Sequence, residues 1–167
     1  MVELVSDAEA FNRLDGEQIT ALTQTATSST FYIDGLTAVQ RAAIDHVVAV
    51  SEKQSRDAAE AEHRTFIAAF VDGQFAGFII AAVNAPGDRE LDWMMVDPDF
   101  HGGGVAAALM ESGISWLGEG QSQWLNVIQH NHRAIHFYRK FGFEIDPVAT
   151  TDHAIPHHIM RRPAKTS

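Results

Sequence analysis

The sequence predicts a mixed α/β domain, and three observations lead there. Two β-rich runs, Thr65–Val71 and Phe75–Val83, flank Asp72-Gly73-Gln74, and an Asp-Gly pair between apolar runs is a strong hairpin signal. A third apolar run, Leu91–Val96, passes through Asp97-Pro98 into three glycines, Gly102, Gly103 and Gly104. It then enters a stretch with Leu109, Met110, Ile114, Trp116 and Leu117 at helical spacing. Further on, Asn131–Phe141 reads as a second helix, closed by Gly142 at a left-handed stop.

The remaining elements follow in order. Val2–Val5 reads as a short first strand, and Asp7-Ala8-Glu9-Ala10 as a helix start with Asp7 as its cap. From Thr37 to about His63 the chain is rich in Ala, Glu, Gln and Lys, with Ala43, Val47, Val50 and Ala58 as its apolar positions. That predicts a helix whose nearly all-polar second half, Ser51–Ala61, is expected to be mobile or exposed. No motif anchors residues 1–64. Asn84–Asp88 reads as a turn, Trp124–Ile128 as a short strand, and Phe143–Ile145 and about His157–Met160 as the final strands. With no internal repeat, low-complexity tract or linker, residues 1–167 are expected to form one domain.

Composition narrows the function classes. Of 167 residues, 46% are hydrophobic and 20% charged, which excludes a mostly disordered chain. No apolar run approaches the ~20 residues of a membrane helix. There is no cysteine, so thiolate metal sites, disulfide scaffolds and cysteine nucleophiles are excluded. The net charge of −10 opposes nucleic acid and anionic membrane surfaces, and mildly favours a cationic small substrate. The charge is uneven: residues 1–63 carry net −7 and residues 131–167 net +3, so the tail could meet an anion. Residues 1–7 lack a positive start followed by an apolar stretch, so no secretory signal is read and a cytoplasmic location is expected.

The segment from Val96 to Ala107 carries the chemistry. A strand runs into a glycine turn, and the turn opens a helix. Glycines admit close backbone approach, and the first helical turn offers free N–H groups and a positive dipole end. An anion cradle follows, suited to a pyrophosphate; a ligand-free glycine connection is the alternative. There is no G-K-[ST], so a P-loop fails. Gly102-x-Gly104-x-x-Ala107 fits the loose dinucleotide fingerprint, but the acidic residue due ~20 positions later is missing. His101-Gly102-Gly103-Gly104 matches a lipase oxyanion run, but there is no G-x-S-x-G elbow.

The second informative segment runs from Asn131 to Glu144. Here the chain resembles the GNAT superfamily of acyl-CoA N-acyltransferases. Their strand-end motif V-x-P-x-x-[QR]-x-x-G-x-[GA] is matched by Val96, Pro98, Gly104 and Ala106. Their later motif N-x-x-A-x-x-[FY]-Y-x-x-x-G-F is matched by Asn131, Ala134, Phe137, Tyr138, Gly142 and Phe143. The motif-bearing core covers about residues 65–160. The departure is His101, where the family usually has Gln or Arg; a neutral imidazole donates one hydrogen bond rather than a fixed charge, so phosphate binding is expected to be weaker or pH-sensitive.

The resemblance implies a central mixed, mostly antiparallel sheet of about six to seven strands, splayed in the middle and flanked by helices. It implies acetyl-CoA as co-substrate and direct acetyl transfer to a primary amine of a small molecule or peptide. The pantetheine arm would pair with backbone at Met94, Met95 and Val96, and the pyrophosphate would rest on N–H groups from Gly102 through Gly103, Gly104, Val105 and Ala106 to Ala107. Asn131 would bond the arm, Phe137 would belong to the same binding surface, and Arg133, Arg139 or Lys140 would meet the outlying phosphate. Tyr138, near the sulfur, would act as general acid. Glu90 and Asp92, two apart on one strand face, are the candidate general bases, unless a water chain serves. A backbone N–H near Met94 or Met95 would hold the oxyanion.

Nine histidines invite a metal reading, through His130, His132 and His136 and again through His153, His157 and His158, but the spacing does not require one and no metal is expected. Trp93, Trp116 and Trp124 read as core, with Trp93 alternatively walling the acceptor pocket. The rival readings are a non-catalytic acyl-CoA sensing module and, through the dinucleotide match, a nucleotide-dependent oxidoreductase. An exposed final strand could pair two chains as a homodimer.

Overall fold

In the computed structural model, which describes residues 1–165, the chain runs β1 (Val2–Ser6), α1 (Asp7–Phe11), α2 (Gly16–Thr30), α3 (Ala38–Glu60), β2 (Arg64–Val71), β3 (Gln74–Ala85), β4 (Asp88–Val96), α4 (Val105–Leu117), β5 (Gln123–Ile128), α5 (His132–Arg139), β6 (Glu144–Ile145) and β7 (His157–Arg162). The strands form one open sheet in the order β1-β2-β3-β4-β5-β7-β6. Every neighbouring pair is antiparallel except β4–β5. Asp72 and Gly73, at φ 50° and 81°, make the two-residue hairpin turn between β2 and β3.

Period-two alternation divides the core. On one face Phe66, Phe78 and Ile80 pack with Ile19 and Leu22 of α2 and Ala58 of α3. On the other, Ile79 and Leu91 pack with Leu109, Met110 and Leu117 of α4 and with Phe143. The rings of Phe66 and Phe78, both fully buried, lie 5.4 Å apart, and each such burial contributes about 1.5–3 kcal/mol. The buried Gln123 holds α4 in place, donating from Nε2 to the carbonyls of Ile114 (3.1 Å) and Gly118 (2.9 Å), while Arg89 donates to Leu117 O. Those bonds satisfy the carbonyls a helix end leaves open.

Beyond the last hydrogen-bonded pair, β4 and β5 separate. Their register holds only Glu90 opposite Trp124 and Leu91 opposite Leu125. On its other side β4 pairs with β3 throughout, but the register jumps from Ile80–Trp93 to Ala81–Leu91, so Asp92 is an extra residue. Such a bulge bends the strand that carries it, and this one falls where β4 leaves β5.

Several expectations are corrected. Asp7 does not cap α1: Ser6 is the N-cap residue, without a side-chain bond. The Asp7 carboxylate instead accepts from Thr65 Oγ1 (3.0 Å) and the Phe66 N–H (2.9 Å), tying the first helix to β2. Ser51–Ala61 is not an exposed or mobile tract: Ser51, Ser55 and Ala58 are buried on α3, because small residues at that spacing let the helix lie close to the sheet. Helix α2 answers no sequence expectation. Trp116 is 39% exposed rather than core, and Trp124 is half-buried, donating from Nε1 to Asp88 (2.6 Å). The last strand is not simply the sheet edge: β7 lies between β5 and β6, with β6 pairing at Met160 and Arg161. Among the described residues no helix is long and apolar enough to cross a membrane.

The Asp7 tether gives a stability prediction. Asp7→Ala leaves the Phe66 N–H without its acceptor and is expected to cost about 1–3 kcal/mol, read as a lower urea midpoint at unchanged slope.

Candidate active site

The parting of β4 and β5 opens a cavity of about 850 Å³ through the middle of the sheet. On the α4–α5 side it is lined by Gly102, Gly104, Val105, Ala106 and Ala107. The first bond of the α4 ladder joins the Ala108 N–H to Gly104 O (3.0 Å), so the N–H groups of residues 105–107 have no intrahelical acceptor. Gly104 holds φ at 84° and a Cβ there would meet no heavy atom within 4 Å, so the backbone stands open to the cavity. Gly103 differs from its neighbours: its N–H turns back to Phe100 O (3.3 Å) and it does not line the cavity.

His101 sits beside this turn and is joined to α5. Its Nδ1 lies 3.1 Å from Arg133 Nη1. A guanidinium can only donate, so His101 accepts on Nδ1 and is left with an Nε2–H donor. Burial first, and the Arg133 charge second, hold the imidazole below its ordinary range and favour that neutral form. Arg133 thus brings to the loop a fixed positive charge that a neutral imidazole lacks.

Met94, Met95 and Val96 are paired with Ile79, Phe78 and Gly77 of β3 and face no strand on the β5 side. The half of their backbone groups directed at β5 therefore lines the cleft. Asn131 caps α5, accepting from the Ala134 N–H at 3.3 Å, and lines the cavity with Phe137 and Tyr138. Tyr138 is half-buried against the core on the α4 side, and burial pushes its phenol up to about 12. A phenol in that state stays protonated at neutral pH.

Glu90 and Asp92 lie together on β4, but only Asp92 lines the cavity. Glu90 accepts from Asn84 Nδ2 (3.0 Å), and Asp92 lies 3.7 Å from Arg64 Nη2. Burial first and the adjoining Asp92 charge second raise Glu90 to about 7; burial also raises Asp92, against the lowering pull of Arg64. Sequence reading missed Arg64 and Asn84, because a bulge and a neighbouring strand bring them to the pair. It also missed Asn126, which lines the cleft just past the last β4–β5 pair and whose Oδ1 is buried without a partner. Among the described residues no group of three or more metal-ligating side chains is poised for a metal ion.

Comparison with known proteins decides the family. The profile of the Acetyltransferase (GNAT) family matches residues 32–143. The chain belongs to the GNAT family. An uncharacterized N-acetyltransferase of Mycobacterium tuberculosis is 35% identical to this GNAT chain over 89 residues, 52% of this chain and 57% of the relative. Streptothricin acetyltransferase of Streptomyces lavendulae is 34% identical over 87 residues, 50% of this chain and 46% of the relative. The chain thus matches about half the length of these curated relatives. The crystal structure of the PaiA N-acetyltransferase from Thermoplasma acidophilum, solved with coenzyme A, superposes with a TM-score of 0.75 at 19% identity, covering 98% of this chain and 99% of that one. That likeness confirms the splayed, mostly antiparallel GNAT sheet. The sensing-module and oxidoreductase readings are not favoured by these relatives.

The open backbone at Gly104 gives a second prediction. Gly104→Val forces a β-branched residue into left-handed φ, which costs roughly 1–2 kcal/mol, and sets two methyl groups in the cradle. Coenzyme A affinity is expected to fall by at least about tenfold by calorimetry, with a lower Tm.

Proposed function

We propose that this chain transfers an acetyl group from acetyl-CoA directly to a primary amine, with residues 1–167 acting as one GNAT-like unit. The observation that carries the reading is one cavity that joins open helix N–H groups, an unpaired β4 edge, a protonated phenol and the Asp92 carboxylate, with Glu90 buried behind it. The residues fit coenzyme A. Gly102, Gly104 and the N–H groups of residues 105–107 suit a pyrophosphate, with His101 and Arg133 beside them. Backbone at Met94–Val96 suits an extended amide-bearing arm, added as a strand would be, and Asn131, with its amide NH2 free of its capping bond, adds a donor.

Bound there, acetyl-CoA supplies an acyl group already activated as a thioester. The chain's own groups then divide the proton work. An amine must be neutral to attack, and the Asp92–Glu90 pair takes its proton at the α2–α3 side of the cleft. Tyr138 Oη gives a proton at the departing sulfur. A β4 backbone N–H near Met94 or Met95 meets the charge that develops on the carbonyl oxygen. The test is thiol release from acetyl-CoA over a broad amine panel, with thermal shift by coenzyme A alongside; release from none of them, and no shift, sinks the reading.

A further inference from the structure

The α2–α3 side of the cavity has a chemistry of its own. Three contacts tie the α2–α3 corner to the opposite wing of the sheet. Gln40 Nε2 donates to Ala154 O (3.2 Å), His130 Nε2 donates to Phe31 O (3.1 Å), and Ile44, Ile128 and Ile155 form a buried cluster. The parted strands are therefore roofed on this side by Phe31, Ile44 and Ile155, with Trp93 as a wall, stacked on Phe78 at 6.5 Å. The polar lining here includes imidazoles: His153 and His157 lie ring to ring at 4.1 Å, and His157 Nδ1 donates to Ile155 O at 2.6 Å. Among the described residues Asp92 is the one carboxylate that lines the cavity.

We propose that the acceptor is a small primary amine with a single positive charge, borne on an aromatic or branched apolar body, rather than a polyamine or a peptide amino terminus. The inference rests on the acetyl-transfer reading and specifies its substrate class. One carboxylate can neutralise or deprotonate one ammonium. A second and third ammonium, as in a polyamine, would be desolvated among isoleucine, tryptophan and imidazole without a counter-charge, which is strongly unfavourable. The acidic outer surface does not reverse this, because its carboxylates lie outside the chamber. The roof contacts also bridge this side of the chamber, so the continuing backbone of a peptide would have to pass around them. An aromatic or branched body, by contrast, buries its apolar surface against Phe31, Trp93 and Ile155 and stacks beside the His153 and His157 rings.

The test compares kcat/KM for phenethylamine, tryptamine, spermidine and an alanine-initiated tripeptide, with coenzyme A thermal shift as a folding and binding control. The aromatic amines are expected to exceed spermidine and the tripeptide by at least tenfold. Spermidine or the tripeptide as the best substrate overturns the proposal and leaves acetyl transfer standing; thiol release from none of the four, with release from another class of amine in the broad panel, does the same. His153→Glu, at an exposed position on the chamber wall, adds a second carboxylate. It is expected to move the spermidine-to-phenethylamine ratio at least tenfold toward spermidine with the coenzyme A shift unchanged, and an unmoved ratio counts against the proposal.

Discussion

Tyr138→Phe is expected to lower kcat by about 10²–10⁴-fold, the range of a positioned general acid, while coenzyme A Kd stays within about twofold. The two effects separate because Phe keeps the ring that packs on the α4 side and removes only the hydroxyl. The wild-type phenol, held at about 12 by burial, keeps its proton across the working range, so no falling limb from Tyr138 is expected below about pH 10. Single-turnover thiol release together with coenzyme A calorimetry checks both parts. Full activity in this variant removes Tyr138 from the mechanism.

The carboxyl pair gives the second large effect. A base must be ionised to act, and burial together with Asp92 holds Glu90 near 7. The rate kcat/KM is therefore expected to rise as pH climbs through about 7 and then level off. Glu90→Gln is expected to abolish that limb, and Asp92→Asn to lower kcat/KM at neutral pH by at least about 10²-fold. Stability runs the opposite way. The folded-state pKa of Glu90 is raised, so the native state binds the extra proton between the ordinary carboxylate range and about 7, and folding stability declines as pH rises through that window. Glu90→Gln removes the penalty, so its Tm is expected to gain on the wild type at pH 8 relative to pH 5. A profile measured with unchanged limb and unchanged Tm difference contradicts the assignment.

What was legible in the sequence was what local rules encode. Asp72-Gly73 declares its turn, and Asn131 and Gly142 bracket α5. The glycines after Val96 announce an open backbone before a helix. Helix α2 was illegible because its buried face uses threonine. Thr23 and Thr27 turn their hydroxyls back to the carbonyls of Ile19 (2.8 Å) and Thr23 (2.9 Å), so a polar pattern packs as an apolar one. Buried Ser51 and Ser55 hid the second half of α3 in the same way. In the site, Glu90 and Asp92 were readable as neighbours. The bulge that separates their exposures and the Asn84 contact depend on strand register, and the Arg64 contact and the roof over the chamber join residues distant in sequence, which no spacing rule reports.

The parting of β4 and β5 also has a mechanical consequence. With only two residue pairs across the seam, the sheet is two wings, β1–β4 and β5–β7–β6, coupled by a short stitch and by the helices that straddle it. A molecule lying along the seam adds main-chain bonds to the wing that lacks them and so couples the wings. Amide hydrogen exchange at residues 94–96 and 126–128 should slow together on ligation, and the whole chain should melt later by mass action.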